Sequence, residues 1–440
     1  MLSSNDCALN IQNCTRCCLV SKRKKYGITI DIGTTNIIIH LVRCSDNALV
    51  NQLLLKNPQV EYGADVISRI RSARKNKDAQ RKLVLQIRNS IRKGIAGILE
   101  ETRIKPITVS DVVIVGNTVM HHFFFDLPTD SLTVAPYTAV EKDSILKSAS
   151  EVDLDILPNA DVYSPPVIES FIGPDAIAVL FASGYLREQT RSMTIDVGTN
   201  TEVSVITPEG IWIASAASGP AFEGMAIECG MSGEIGAIES VRINPETYEP
   251  SLSIIDNNQS RGICGTGVIS LIAALLESGL LLPRGSFNHA IQSQWTSFDS
   301  VPAYYIVAPQ TSSSTGKEII LTQPDLRMLQ QSKAAVRAAT DLVLRKSVSN
   351  SDEINNLFLT GIFGSGLLVD DAYRIGMLPR FTNASVTQSR NGAIQGADML
   401  LSAENRETAE RISQQINYIE LMDNEEFNQL FVESLPFSSK

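Results

Sequence analysis

The sequence of 440 residues predicts an α/β protein made of two duplicated lobes, and three observations carry that prediction. An apolar strand runs into Asp31-Ile32-Gly33-Thr34-Thr35-Asn36, and a second apolar strand follows at once. The same unit returns as Asp196-Val197-Gly198-Thr199-Asn200-Thr201-Glu202, roughly 165 residues later and so at domain-sized spacing. Between and after the copies, amphipathic helical stretches alternate with short buried strands, the order that builds an α/β fold.

Taken in order, residues 1–25 hold Cys7, Cys14, Cys17 and Cys18 and end in Lys22-Arg23-Lys24-Lys25. A segment that short cannot build a core and reads as a tail or a metal-organised knob. Ile28–Ile30 and Ile37–Val42 flank the first glycine turn as a hairpin. Leu83, Ile87, Ile91 and Ile95 recur at i, i+4 and predict an amphipathic helix over 79–101. Val112–Val115 is a buried strand closed by Gly116-Asn117, and 126–170 reads as irregular. Pro174 opens a helix over 174–187 that stops near Gly184. Met193–Ile195 and Glu202–Ile206 flank the second glycine turn, and helices are expected over 267–278 and 323–346. Leu357–Leu359 then enters a third glycine-rich turn, and the last forty residues are acidic and helical in period. The expected boundaries are a Cys-rich tail at 1–25, lobe I at 26–190, and lobe II at 191–440 with a C-terminal helical segment.

Composition narrows the class. Hydrophobic residues at 43% and charged residues at 20% suffice for a sizeable core and exclude a disordered or fibrous chain. A net charge of −10 argues against a dedicated nucleic-acid binder. No apolar run approaches the ~18 residues of a membrane span, and residues 1–25 lack the apolar stretch of a signal peptide. Seven cysteines, four of them at the front, do not form a secreted disulfide framework. A cytoplasmic, soluble protein is expected.

The chemistry of the repeated turn is phosphate binding. Gly33 and Gly198 allow close backbone approach. Thr34, Thr35, Asn36, Thr199 and Asn200 supply N–H, hydroxyl and amide groups, and Asp31 and Asp196 suit hydrated Mg²⁺. One such turn fits any tight hairpin; two at domain spacing are far more specific. The third turn, Leu359-Thr360-Gly361-Ile362-Phe363-Gly364-Ser365-Gly366, lets backbone lie against a base or ribose through Gly361 and Gly364. Gln330, Lys333 and Arg337 on the preceding helix form a candidate adenosine wall. A plain strand-to-helix turn and a solvated helix face are the competing readings.

These three pieces, in this order, resemble the layout of the actin-like ATPases. The resemblance implies a ribonuclease H-like fold in each lobe, family-specific insertions, and Mg·ATP bound between the lobes. A narrower likeness rests on Asn57-Pro58-Gln59, Tyr62-Gly63-Ala64-Asp65-Val66-Ile67-Ser68-Arg69-Ile70, Gly116-Asn117-Thr118-Val119-Met120-His121-His122, Ser218–Gly224 and Gly262-Ile263-Cys264-Gly265-Thr266-Gly267. Over Tyr26 to Phe437 the chain resembles the reductive activators of corrinoid proteins, ATP-dependent enzymes that return Co(II) corrinoid to Co(I).

That resemblance implies ATP hydrolysis coupled to reduction of a corrinoid protein in a methyltransferase system, an external reductant protein, and a homodimer. It implies no nucleic acid and no membrane. Asp31 and Asp196 would be catalytic, with Asp175 at a helix start and Glu223 in Gly-Pro-Ala-Phe-Glu-Gly as partners for water or Mg²⁺. Gly265 and Gly267 would join the nucleotide site. No Asp-x-His-x-x-Gly pattern surrounds His40, His121, His122 or His289, so a partner would carry the corrinoid. His121 and His122 flank an apolar run and read as packing residues.

The chain departs from the best-known members in two ways. Only 25 residues precede Tyr26, where those proteins carry a [2Fe–2S] ferredoxin domain, a linker and a middle domain, and Ile362 stands where a second glycine is usual. Cys7, Cys14, Cys17 and Cys18 offer the four thiolates of an Fe–S cluster, a structural zinc site, or incidental thiols. Cys264 at a helix N-terminus reads either as an activated thiolate paired with Cys229 or as a small buried residue under a glycine turn. The rival functions are a small-molecule kinase, with Ser218–Gly224 lining its pocket, an activator of 2-hydroxyacyl-CoA dehydratase type, and a non-enzymatic nucleotide-gated scaffold. The basic stretch Arg69–Lys105 is either a solvated helix face or a docking surface for an acidic partner.

Overall fold

The structure is a computed structural model that describes residues 25–437 apart from 64, 76, 136, 188, 189, 225, 258 and 349. Cys7, Cys14, Cys17 and Cys18, with the metal site expected of them, lie outside the described residues. Two compact units emerge. The first runs to Ala182 and takes back Ala393–Gln415; the second holds Ser183–Gly392 and the chain from Ile416 onward.

The first unit contains β1 (Tyr26–Ile32), β2 (Asn36–Arg43), β3 (Ala48–Lys56), α1 (Val66–Ala73), α2 (Lys77–Thr102), β4 (Val109–Gly116), α3 (Thr118–Phe125), β5 (Ile145–Ser148), β6 (Asp161–Ser164) and α4 (Pro174–Ser183). The second contains β7 (Ser192–Val197), β8 (Thr201–Thr207), β9 (Gly210–Ala216), β10 (Ala237–Ile243), β11 (Pro250–Ile254), β12 (Gly262–Ile263), α5 (Gly265–Glu277), β13 (Thr296–Ser297), β14 (Tyr304–Ala308), β15 (Ile319–Thr322), α6 (Gln323–Ser347), β16 (Asn356–Gly361), α7 (Val369–Arg374) and β17 (Ser385–Gln388). Helices α8 (Gly392–Met399) and α9 (Ala403–Ser413) return to the first unit, and β18 (Ile416–Tyr418) and α10 (Glu425–Glu433) rejoin the second.

The two main sheets share one plan. The first has the order β3-β2-β1-β4-β6-β5 and the second β17-β16-β7-β8-β9-β18. In each, an antiparallel three-strand meander carries the glycine turn, and two parallel strands follow beside its first strand. The duplication expected from the sequence is therefore present in the topology. Parallel strands are buried on both faces, which is why Val112–Val115 and Leu357–Leu359 are unbroken apolar runs.

Each unit has its own core. In the first, Ile28, Ile30 and Ile32 of β1 pack with Leu83, Ile87, Ile91 and Ile95 of α2, all essentially inaccessible. In the second, Met193, Ile195 and Val197 of β7 pack with Leu326, Leu329, Val336 and Val343 of α6. Helix α8 is fastened to the first sheet by Asp398, which accepts the Thr29 hydroxyl and meets His40 Nδ1 at 2.9 Å. It also lies tightly on α4: a Cβ on Gly396 would stand 1.7 Å from the Ala178 carbonyl.

Several expectations are refined. The helix over 79–101 is Lys77–Thr102, and the one over 174–187 ends at Ser183, where Gly184 takes a φ of +76°. The stretch 126–170 contains β5 and β6, each four residues long, and the final forty residues include the short strand β18 as well as helix. Between β9 and α6 lie two small sheets, β11-β10-β12 and β13-β14-β15, with α5.

Candidate functional site

The turn joining β7 to β8 is held from behind by Ser218–Glu223. Ser218 Oγ donates to the Gly198 carbonyl at 3.0 Å and pairs with Thr201 Oγ1 at 2.7 Å. The Gly219 N–H donates to the Thr199 carbonyl at 2.8 Å. Thr199 Oγ1 donates to Glu223 Oε1 at 2.6 Å, which fixes the hydroxyl on the turn. Burial pushes the Glu223 carboxyl above its ordinary range, against the downward pull of that hydroxyl.

The third glycine turn sits on the same end of the same sheet. Parallel pairing of β16 with β7 sets Thr360 opposite Asp196 and Gly361 opposite Val197. Gly361 has a φ of +69°, and a Cβ there would stand 2.2 Å from the Val197 carbonyl and 2.7 Å from Asp196 Oδ1. The structure thus brings Asp196, Gly198, Thr199, Asn200, Glu223 and Gly361 together. A strand-end carboxylate, a bare glycine backbone beside it and a fixed hydroxyl make a donor set that fits Mg²⁺ and nucleotide phosphate.

In the first unit the turn between β1 and β2 has its own support. Asn57 Nδ2 donates to the Gly33 carbonyl at 2.8 Å, and the Asn57 N–H donates to the Thr35 carbonyl at 2.8 Å. The buried Arg69 guanidinium donates to the carbonyls of Thr34 and Gly63, and burial lowers it to about 10. Asn117 Nδ2 donates to Thr34 Oγ1 at 3.1 Å. With the carbonyls of residues 33–35 engaged on one side, trans peptide geometry turns the N–H groups of Thr34 and Thr35 to the other. That arrangement presents donors to an anion beside Asp31.

Asp175 starts α4, and its Oδ1 accepts the Ala176 N–H at 2.9 Å. Burial pushes its carboxyl up to about 6. Two residues earlier, Gly173 lies against the end of β4: a Cβ on it would stand 2.3 Å from the Gly116 carbonyl. That contact sets the start of α4 beside Asn117 and hence close to the Thr34 turn.

Three groups of expected residues have other surroundings. Lys333, expected at the adenosine, is 1% exposed; its amine donates to the Pro436 carbonyl and lies 5.6 Å from the centre of the Phe437 ring. Burial lowers it to about 7. Gln330 donates to the Leu435 carbonyl, and Arg337 pairs with Asp341 at 2.8 Å, so these three polar groups of α6 are engaged by protein. Gly265 and Gly267 meet backbone: added Cβ atoms would stand 1.8 Å from the Phe222 carbonyl and 2.1 Å from the Ile238 carbonyl. The small size of Gly265 lets α5 press on the segment that carries Glu223, and that of Gly267 lets it press on β10. Gly364 likewise packs on Arg390, 2.1 Å from its Cα by the same measure.

The thiols of the second unit are packing groups. Cys264 Sγ donates to the Ile238 carbonyl at 3.3 Å, and Cys229 Sγ accepts the Ile320 N–H at 3.4 Å. Burial pushes the Cys229 thiol up. Among the described residues, no group of three or more His, Cys, Asp or Glu side chains is arranged to hold a metal. His121 and His122 are buried, and desolvation lowers His121 to about 3. Asn57, Arg69 and Asn117 were legible only as members of motifs; their roles behind the turn come from the structure.

Residues 190–440 match the family described as the C-terminal domain of RACo, the ASKHA domain, and residues 26–188 match the RACo middle region. The chain is 31% identical over 420 residues to the corrinoid activation enzyme RamQ of Eubacterium limosum, covering 94% of this chain and 70% of that protein. It is 23% identical over 446 residues to the [Co(II) methylated amine-specific corrinoid protein] reductase of Methanosarcina barkeri, covering 94% and 77%. A solved reductive activator for corrinoid, iron-sulfur protein superposes with a TM-score of 0.84 at 27% identity, covering 94% of this chain and 66% of that one. No helix among the described residues is long and apolar enough to cross a membrane. The two family matches together run almost from β1 to the C-terminus, and the chain belongs to the RACo family of corrinoid-protein reductive activators, with that family's actin-like ASKHA fold.

Proposed function

We propose that the chain carries out ATP-dependent reductive activation, returning a partner protein's corrinoid from Co(II) to Co(I) in a methyltransferase system. The observation that supports this best is the packing of Gly361 on Asp196, which leaves a bare backbone beside a strand-end carboxylate. Asp196, Gly198, Thr199 and Asn200 hold phosphate and Mg²⁺ in the second unit, with Gly361 at the nucleoside end. Asp31, Gly33, Thr34, Thr35 and Asn36 form the corresponding element of the first. Mg·ATP supplies the free energy for an electron transfer that is uphill on its own.

The chain's own groups divide the remaining work. Glu223 holds the Thr199 hydroxyl in one orientation, and Ser218 fixes the turn carbonyls. Asp175, with its carboxyl raised to about 6, takes a proton from water near neutral pH better than an ordinary aspartate would. Each Co(II) centre takes one electron to become Co(I). That electron comes from a separate low-potential reductant protein or, where residues 1–25 hold an Fe–S cluster, through that tail.

A second reading, small-molecule kinase, is favoured by one feature. A cavity of about 340 Å³ beside Ser218 is lined by Gly219, Pro220, Met328, Gln331, Ser332 and Phe431. Anaerobic spectroscopy of a Co(II) corrinoid protein with reductant, ATP and this chain separates the two. ATP-dependent growth of the Co(I) absorbance is expected, lost in Asp196→Ala. Its absence with every corrinoid protein tried, together with phosphoryl transfer to a small metabolite, would put the kinase in its place.

A further inference from the structure

Residues 69–99 hold ten Lys and Arg against a single acid, Asp78, in a chain whose net charge is −10. The fold accounts for four of those cations. Arg69 is spent behind the first turn, Arg74 pairs with Asp130, Arg88 with Asp153, and Arg92 approaches Asp155. Of the other six, Arg71, Lys75, Arg81, Lys82 and Lys93 are exposed, and none of these five has an ion-pair partner among the described residues. They lie on α1, the bend after it, and the outer face of α2, opposite the buried stripe of Leu83, Ile87, Ile91 and Ile95.

This placement opposes local stability. The first turns of a helix favour acids, because the macrodipole is positive there. Here Lys77, Arg81 and Lys82 fall within the first six positions of α2, and Asp78 is the one acid in its first turn. A surface that breaks local rules with no return in packing is where a functional demand is expected. On the same outer face Leu85 is 40% exposed, an apolar spot one turn from Arg81 and Lys82. An apolar centre with a charged rim is the composition of a docking patch.

We infer that the outer face of α1 and α2 docks an acidic surface of the corrinoid protein substrate, with Leu85 as anchor and Lys75, Arg81, Lys82 and Lys93 as the steering charge. The inference rests on the proposed function, which makes a corrinoid protein the partner. Charge complementarity names the occupant. Since this one segment is so basic, the rest of the chain is more acidic than the net charge suggests, so an acidic protein is repelled elsewhere and drawn here. Such a field orients the encounter as well as accelerating it. A nucleic acid is the poorer fit, since residues 69–99 contain no aromatic side chain on which bases could stack.

The test uses the full chain, a Co(II) corrinoid protein that the wild type activates, and the exposed double variant Lys82→Glu/Lys93→Glu. At low ionic strength the variant's association rate should fall at least tenfold. The steep decline of the wild-type rate with salt should flatten, poly-L-glutamate should compete with the wild type alone, and ATP affinity should be unchanged. Leu85→Asp should raise the dissociation rate with the charge untouched. A variant that matches the wild type in association rate and salt dependence overturns the docking surface and leaves the proposed function standing. Tight binding of random duplex DNA that the charge reversal abolishes also overturns it. A wild type that forms Co(I) on none of the corrinoid proteins tried overturns the functional reading itself.

Discussion

Gly361 touches Asp196 so closely that no side chain fits between them: a Cβ would stand 2.7 Å from Oδ1 and 2.2 Å from the neighbouring Val197 carbonyl. The strand-end carboxylate and the third glycine turn therefore behave as one piece of structure. Gly361→Ala meets both this contact and a φ of +69°, which costs on the order of 1–3 kcal/mol. Asp196→Ala removes only the carboxylate. Calorimetry with Mg·ATP is expected to show at least tenfold weaker binding in both, with a lowered Tm in Gly361→Ala alone.

Asp175 should give the proposed ATP-dependent activity an acid limb. Its carboxyl is raised to about 6, so the ionised form accumulates only as pH rises through that value. Activity should climb with an apparent pKa near 6, and Asp175→Asn should lack that limb and retain little turnover. The linkage to stability has the opposite slope. A carboxyl raised in the folded state binds its proton more tightly there than in the unfolded chain, so its contribution falls between pH about 4 and 6. Urea melts at pH 4.5 and 7.5 should show Asp175→Asn gaining on the wild type at the higher pH.

Lys333 should prove indifferent to nucleotide. Its amine is held by the Pro436 carbonyl under the Phe437 ring, and burial lowers it to about 7. Lys333→Met keeps the buried volume and removes the cost of an enclosed charge. ATP affinity is expected within about threefold of wild type, well under the tenfold that 1.4 kcal/mol represents. A larger loss by calorimetry would restore Lys333 to the adenosine site.

Asp398→Ala should loosen the first unit. It leaves the buried Thr29 hydroxyl and the His40 ring without their carboxylate, at a cost of roughly 2–4 kcal/mol. Hydrogen exchange should accelerate in α8 and β1 while ATP-independent features of the second unit, such as exchange in α6, stay as in wild type.

Much of this was legible in the residues. The repeated Asp-x-Gly-Thr turns announced two sheets of one plan because a fixed turn chemistry leaves a fixed sequence, and Leu83 to Ile95 marked α2 because a helix buries one stripe. What stayed hidden follows a physical pattern. Strands β5 and β6 are four residues long, too short for alternation to show. Asn57, Arg69 and Asn117 act on the turn at residues 33–35 from more than twenty, thirty and eighty positions away, distances that only folding spans. The cover over Lys333 was hidden too, because nothing in a polar helix face shows that the C-terminal segment will fold onto it.

The return of Ala393–Gln415 to the first unit has a consequence for biosynthesis. The first sheet is translated early, yet Asp398, the partner of Thr29 and His40, leaves the ribosome only after the intervening Ser183–Gly392. At elongation rates of about 5–20 residues per second, that interval is on the order of 10–40 s. During it the nascent first unit lacks α8 and α9, and the surface they will cover is open to water. The order of synthesis thus delays completion of the first lobe until nearly the whole second one has been made.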